Sequence, residues 1–374
     1  MYSEVYAGFS SVFNCPLIWS SPLEPHPLTL TLLNEDLYET NLLVSNSNDF
    51  WQRLKDQFQW LHLKFHKWLR SGKEESIFNR AFGPAITKRG GILPSFEAVK
   101  YNGSLLFGNS HFSTGQTFHL PQNYIQIAGY HIGDNREPLP TILQNIMDGA
   151  KQGVIYFDMG PMLRANTLPD KIKADILDVF KRINRTVIWK YEGKLKTSKN
   201  VYVFDKLPQQ SILAHQNCAL FITTGELLSI IESVHFGVPM IGIPVFGQQF
   251  NNIHKAKTNG YAQSVKFMDA KALNKAIDNA LSNSKYREKA KELSSIFRDR
   301  PISPDKELVF WVEYVVRRKG TFSLSYPIVL PWYYVVYLEL IIVFLIIVAC
   351  LYVIFVYLLR KCKTDKDLSF KKYI

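Results

Sequence analysis

The sequence predicts an α/β protein: a parallel, doubly wound sheet in its second half, a separate N-terminal portion before it, and one membrane-crossing helix near the C-terminus. Three observations predict it. From Gly153 onward, short β-branched and aromatic runs alternate with amphipathic helical stretches, the pattern of parallel strands joined by helical crossovers. Leu340–Leu359 runs twenty residues without a charge, which as a helix spans about 30 Å, the thickness of a bilayer's hydrocarbon core. The stretch from Gly129 to Pro140 is punctuated by Gly and Pro and reads as a linker. At 374 residues the chain exceeds the roughly 250–300 residues at which a single core stops growing, so two domains are expected.

In chain order, residues 1–20 read as a strand and turn through Pro16-Leu-Ile-Trp, closed by Ser20-Ser21-Pro22. Residues 50–70 place Trp51, Leu54, Phe58, Leu61, Phe65 and Trp68 at alternating spacings of three and four, an apolar stripe along one helical face. Lys55, Lys64, Lys67 and Arg70 occupy the other face. Such a helix either packs on its own domain or lies in a membrane interface; packing is the expectation. A strand follows near Ser104–Asn109, then the linker. The second half predicts strands at Val154–Phe157, Thr186–Trp189, Val201–Phe204, Leu220–Thr223, Met240–Pro244 and Ser264–Phe267, with helices at 169–184, 226–236, 247–259 and 270–281. In such a sheet, ligands sit beyond the carboxyl ends of the strands.

Apolar content of 47% and aromatic content of 14% exclude a disordered chain. Of the net charge of +12, six basic side chains (Arg360, Lys361, Lys363, Lys366, Lys371, Lys372) crowd the last fifteen residues against Asp365 and Asp367. The remaining excess reads as a solvated surface or an anionic membrane face. No nucleic-acid motif occurs. Cys15 and Cys218 are the only cysteines outside the tail, beside Cys350 and Cys362, so neither a disulfide framework nor a metal spacing can be read. Trp332, Tyr333, Tyr334 and Tyr337 form an aromatic belt before the apolar run, and Arg360-Lys361 closes it. Positive charge after the helix predicts a cytosolic tail and a lumenal body. The terminal Lys371-Lys372-Tyr373-Ile374 resembles the dilysine retrieval signal of endoplasmic-reticulum residents, and the sequons at Asn102 and Asn184 agree with a lumenal body. The opening residues lack a signal peptide's basic and apolar regions, so an additional N-terminal segment is expected.

Residues 208–260 carry the motif. Pro208-Gln209, Phe221-Ile-Thr-Thr-Gly225, Ser229, Glu232, Gly237-Val-Pro, Gly242-Ile-Pro and Gln249 resemble the UDP-glycosyltransferase signature in order and spacing. Gly153–Gly160, FRDRPISP at 297–304 and residues 95–140 extend the resemblance over nearly the whole chain. It implies a GT-B-like arrangement: residues 1–130 a partial acceptor-side domain, 131–150 a linker, 151–300 a Rossmann-like UDP-sugar-binding domain, and 301–332 a return segment. A transmembrane helix at 333–359 and a cytosolic tail at 360–374 complete it. The resemblance also implies donor-site roles. Gln209 meets the uracil edge, Ser229 faces the phosphates, Glu232 accepts ribose hydroxyls, and Gln249 takes sugar hydroxyls. Gly225 forms the turn that opens a helix, whose free N–H groups suit a diphosphate.

Departures from the signature sit in the same pocket. Lys206 stands where the family has the tryptophan that stacks on uracil, and Thr224 where it has the histidine bonded to diphosphate. Glu226 replaces the second glycine, Gln248 the acidic partner of Gln249, and Pro161 the serine of the first loop; Asp158 replaces a small polar residue. Losing two hydrogen bonds to a charged ligand costs about 3–6 kcal/mol, roughly a hundredfold to ten-thousandfold in affinity. The implied reaction moves a hexosyl group, glucose or glucuronate, from a UDP-sugar to a small lipophilic hydroxyl, with a His–Asp pair as general base. The resemblance puts that pair upstream of Met1; His26, His62, His66, His111 and His119 read as surface or packing residues. No metal or cofactor is implied, the UDP-sugar being co-substrate. Membrane lipid and related transferases, as homo- or hetero-oligomers, are the expected partners. The alternative is a non-catalytic relative, or a truncated product, that binds UDP-sugar poorly and partners active paralogues.

Overall fold

The computed structural model describes residues 4–25, 27–30, 32–33, 50–114, 120–133, 136–161, 163–267, 269–320 and 338–370. The N-terminal part holds a three-stranded parallel sheet, β1 (Leu17–Ser21), β2 (Gly103–Gly108) and β3 (Tyr124–Gln126), in that order. Helices α1 (Gly8–Phe13), α2 (Phe50–Lys88) and α3 (Phe96–Lys100) stand on it, with Phe78, Phe82, Phe96 and Val99 buried between them.

The second half forms a six-stranded parallel sheet from β4 (Val154–Asp158), β5 (Thr186–Lys190), β6 (Val201–Phe204), β7 (Cys218–Thr223), β8 (Met240–Gly242) and β9 (Ala262–Ser264), ordered β6-β5-β4-β7-β8-β9. The strand and helix expectations are met within a few residues, except that β9 begins two residues earlier than the expected 264–267. Alternation along the strands sorts their side chains to two faces. Ile155, Phe157, Val187, Trp189, Leu220 and Ile222 pack under α5 (Asp170–Arg182) and α9 (Ala270–Ser282). Val154, Tyr156, Ile188, Phe221 and Met240 pack under α4 (Thr141–Gly149), α6 (Gln209–Ala214), α7 (Leu227–Phe236), α8 (Gln249–Thr258) and α10 (Ser284–Arg298). With both faces covered, the strands are continuous hydrophobic runs, as parallel sheets require.

The chain then returns. Helix α11 (Pro304–Arg317) lays Leu308, Trp311, Val312 and Val315 on Leu105, Phe107 and Ile125 of the N-terminal sheet, and Ser104 Oγ donates to Gly320 O at 3.0 Å. Helix α12 (Leu338–Phe370) contains the 21-residue apolar segment Ile341–Lys361, whose most apolar stretch has a mean hydropathy of 3.2 and is not buried. It is long and apolar enough to cross a bilayer. The aromatic belt at 332–337, the terminal lysines, His26 and His119 lie outside the described residues.

Helix α2 departs from expectation. Its stripe was expected to pack on its own domain, yet Leu54 alone among the described stripe residues is buried; Trp51 is 72% and Trp68 70% exposed, with Phe58 and Phe65 open as well. The helix buries instead its later turns, Phe78, Phe82 and Ile86. An amphipathic period fixes which residues share a face, not what covers it.

One seam joins the two parts. The ring of Phe297, at the end of α10, meets His111 from the N-terminal part at 4.8 Å and His235 of α7 at 6.1 Å between centroids. Arg300 Nη2 donates to Ala128 O at 3.0 Å. Burial, then the Arg300 charge, pulls the His111 imidazole down to about 4; burial, then the neighbouring arginines, does the same to His235. Both rings are thus held neutral, and the unfolded chain binds protons below about pH 6.5 that the folded chain refuses until about pH 4. Stability is full above pH 6.5 and falls as pH drops toward 4, by on the order of 2 kcal/mol from His111 at pH 4.5. Thermal unfolding of the detergent-solubilised chain should show that acid slope, and His111→Phe should lower it by about half, leaving the His235 share.

Candidate functional site

The strand order reverses direction between β4 and β7. From β4 the chain moves outward to β5 and β6, then returns to build β7, β8 and β9 on the other side. The loops leaving the carboxyl ends of β4 and β7 therefore part to opposite faces and leave a crevice, the place where doubly wound sheets bind ligands. All the donor-site residues expected from the motif lie on the loops and helix starts around it.

At one end of the crevice, Gly160 and Gly225 line the two loops. Both take positive φ, 76° and 92°, which a side chain tolerates poorly. A Cβ on Gly225 would stand 2.5 Å from Ile253 Cγ1, so the turn is glycine for space as well as for angle. Asn252 Nδ2 pins it from α8 by donating to Gly225 O at 3.0 Å. Thr224 turns inward, its hydroxyl donating to Met159 O at 3.1 Å across the crevice. Glu226 is the N-cap residue of α7, yet its side chain does not cap its own helix. The carboxylate accepts from Gln249 Nε2 at 2.8 Å, and its Cγ lies 3.3 Å from where a Cβ of Gly160 would be. The Gln249 oxygen is filled as well: Oε1 accepts from Val245 N at 2.9 Å and Phe246 N at 3.2 Å. An internal carboxylate thus bridges the two loops where the helix end favours an anion.

At the other end, Gln209 at the start of α6 donates to Glu232 Oε2 at 2.6 Å and to Ser229 Oγ at 3.4 Å, and accepts from the Tyr156 hydroxyl at 3.2 Å. Burial, reinforced by the charges of Asp158 and Glu232, raises the Tyr156 phenol well above its ordinary range, so it stays a neutral donor. Asp158, 6% exposed, is met by Lys190 Nζ at 3.2 Å and by Gly160 N at 2.8 Å. The motif did not single out Lys190, Tyr156, Gln210 or His131. Lys190 ends the strand beside β4, and a charge at that end of a buried strand was the available signal; His131 and Gln210 carried none.

The structure brings Gln209, Ser229 and Glu232 into one network, and Gly225, Thr224, Glu226 and Gln249 into another. Lys206, Pro161 and Gln248 are exposed on the flanking turns. His62 and His66 are exposed on α2, meeting edge to face with ring centroids 4.3 Å apart. Among the described residues no group of three or more His, Cys, Asp or Glu is placed to hold a metal.

The family described as "UDP-glucoronosyl and UDP-glucosyl transferase" matches residues 44–372. This chain belongs to that family. Among its relatives, the UDP-glycosyltransferase UGT5 of Dactylopius coccus is 32% identical over 95% of this chain and 68% of its own length. The UDP-glucuronosyltransferase 2C1 of Oryctolagus cuniculus is 32% identical over 64% of this chain and 48% of its own. Among solved structures, the glycotransferase of kitacinnamycin superimposes with a TM-score of 0.55 at 15% identity, over 82% of this chain and 72% of that one. The spinosyn forosaminyltransferase SpnP gives 0.56 at 14%, over 83% and 73%. These are GT-B glycosyltransferases, and the two-domain GT-B fold expected from the sequence is the fold of this UDP-glycosyltransferase. Enzymes of this family and fold take a UDP-sugar as substrate and normally use no cofactor.

Because the Gly225 turn is fixed by close packing, Gly225→Ala should lower stability by more than about 1 kcal/mol, since alanine at positive φ costs that much before any clash. Gly149→Ala, with open space around its Cβ, should be neutral or slightly stabilising. Melting temperatures of the two variants check the contrast.

Proposed function

We propose that this UDP-glycosyltransferase family member transfers glucose or glucuronate from a UDP-sugar to the hydroxyl of a small lipophilic acceptor, a detoxifying conjugation. The observation that carries the reading is the joint placement of Gln209, Ser229 and Glu232 on α6 and α7 at the β4–β7 switch point. Glu232 there accepts ribose hydroxyls, Gln209 turns its amide to the uracil edge, and Ser229 with the first turn of α7 meets the diphosphate. Gln249 serves the sugar once it releases Glu226.

The Glu226–Gln249 bond over Gly160 favours a second reading, a non-catalytic relative whose own carboxylate competes with the diphosphate. The two differ in donor affinity. Thermal-shift titration with UDP-glucose and UDP-glucuronate should show stabilisation at millimolar ligand, because a ligand bound to the native state alone stabilises by RT ln(1 + [L]/Kd). Glu226→Gly combined with Thr224→His removes one carboxylate and adds one donor, and should tighten binding at least tenfold. No shift in either protein would remove the donor-site reading.

We also propose residence in the endoplasmic-reticulum membrane, with α12 as a single span, the body in the lumen, the dilysine-type tail in the cytosol, and lipid or related transferases as neighbours. The sequons support it, since Asn102 and Asn184 are both exposed. Expression in animal cells should give high-mannose glycans at both sites, and changing Lys371 and Lys372 to serine should let the protein leave for later compartments. An unglycosylated body would place it in the cytosol.

A further inference from the structure

We infer that His131 is a positioning residue for the ribose subsite, setting the face that Glu232 presents to the nucleotide; this rests on the donor-site reading above. Glu232 is buried on α7, its side chain 8% exposed. An ionised carboxylate offers about four lone-pair directions, two on each oxygen. Both directions on Oε1 are filled from behind, by Gln210 Nε2 at 3.1 Å and His131 Nε2 at 3.2 Å. Among the described residues Oε2 carries Gln209 Nε2 alone, so it keeps room for a further donor. The carboxylate is held by one oxygen and offered by the other.

His131 reaches this carboxylate from the linker, and the contact is reinforced there. Gln210 Nε2 also donates to His131 O at 3.2 Å, so α6 grips both the backbone of His131 and the oxygen its ring holds. The terminal torsion of a glutamate is broad, and two flexible glutamine amides do not fix its plane. A ring anchored at its own backbone does. For Nε2 to donate, its proton must sit on that nitrogen; Nδ1 is buried with no partner among the described residues, so none of them opposes that tautomer. His131 does not touch the reacting atoms: it acts through Glu232, and what it sets is recognition of a ribose diol by Oε2.

The test is discrimination between UDP and 2′-deoxy-UDP, measured by ligand-observed NMR titration on the detergent-solubilised full chain. Wild type should prefer UDP. His131→Ala should lower the deoxy-to-ribo ratio of Kd values about tenfold, the worth of one hydrogen bond to a charged group, and leave the affinity for 2′-deoxy-UDP nearly unchanged. His131→Gln, whose amide reaches Glu232, should restore most of the ratio, and the shorter His131→Asn should not. Should the alanine variant fail to fold, the glutamine–asparagine pair carries the same comparison. Folded variants that all keep the wild-type ratio, or lose both ligands equally, overturn the positioning role. UDP binding with that result leaves the donor site standing, whereas a wild-type chain that binds neither nucleotide overturns both.

Discussion

Carboxylates drawn out of water at one end of a parallel sheet are the constraint on which the site depends. Asp158 and Glu232 are buried and Glu226 half-buried around the carboxyl ends of β4 and β7, where loss of water makes each costly unless donors meet it. Each is met: Asp158 by Lys190 and a backbone N–H, Glu226 by Gln249, Glu232 by Gln209, Gln210 and His131. Those donors come from β5, α8, α6 and the linker. The carboxylates therefore fix how these elements sit around the crevice, as well as what it can bind.

The network also explains why substitutions in the motif left the fold intact. Thr224, in place of the family's histidine, spends its hydroxyl on Met159 O and ties the β4 loop to the β7 loop. Glu226, in place of a glycine, lies across the same gap. Groups that face a diphosphate in the motif have here become bonds between the loops. A buried polar group left unpaired costs more than a pair contributes, so groups drawn out of water around the crevice satisfy one another.

The two halves are held by different physics. The sheet domain is closed by apolar burial on both faces. The seam with the N-terminal part is more polar, with two neutral histidines against Phe297, Arg300 on a carbonyl, and the Glu24–Lys255 ion pair from β1's exit to α8. A polar seam suits parts that move relative to each other around a bound ligand. Helix α11 adds an apolar contact, on the face of β2 that looks away from Leu106 and Tyr124.

By itself, the sequence determined the sheet, its crossovers and the apolar tail helix, because hydrophobic period and turn chemistry act over a few residues. The ordered matches between 208 and 260 also pointed to the loops that meet at the β4–β7 crevice. Tertiary structure alone decided the rest. Nothing local in residues 50–70 says whether an aromatic stripe is covered, and in the fold Trp51 and Trp68 stand open. Nothing near Glu226 announces that Gln249, twenty-three residues on, will hold its carboxylate over Gly160. His131 is 101 residues from Glu232, and no period or spacing links them. Hydrogen-bond partners so far apart are chosen by where the strands end and the helices begin, and that exists only once the chain has folded.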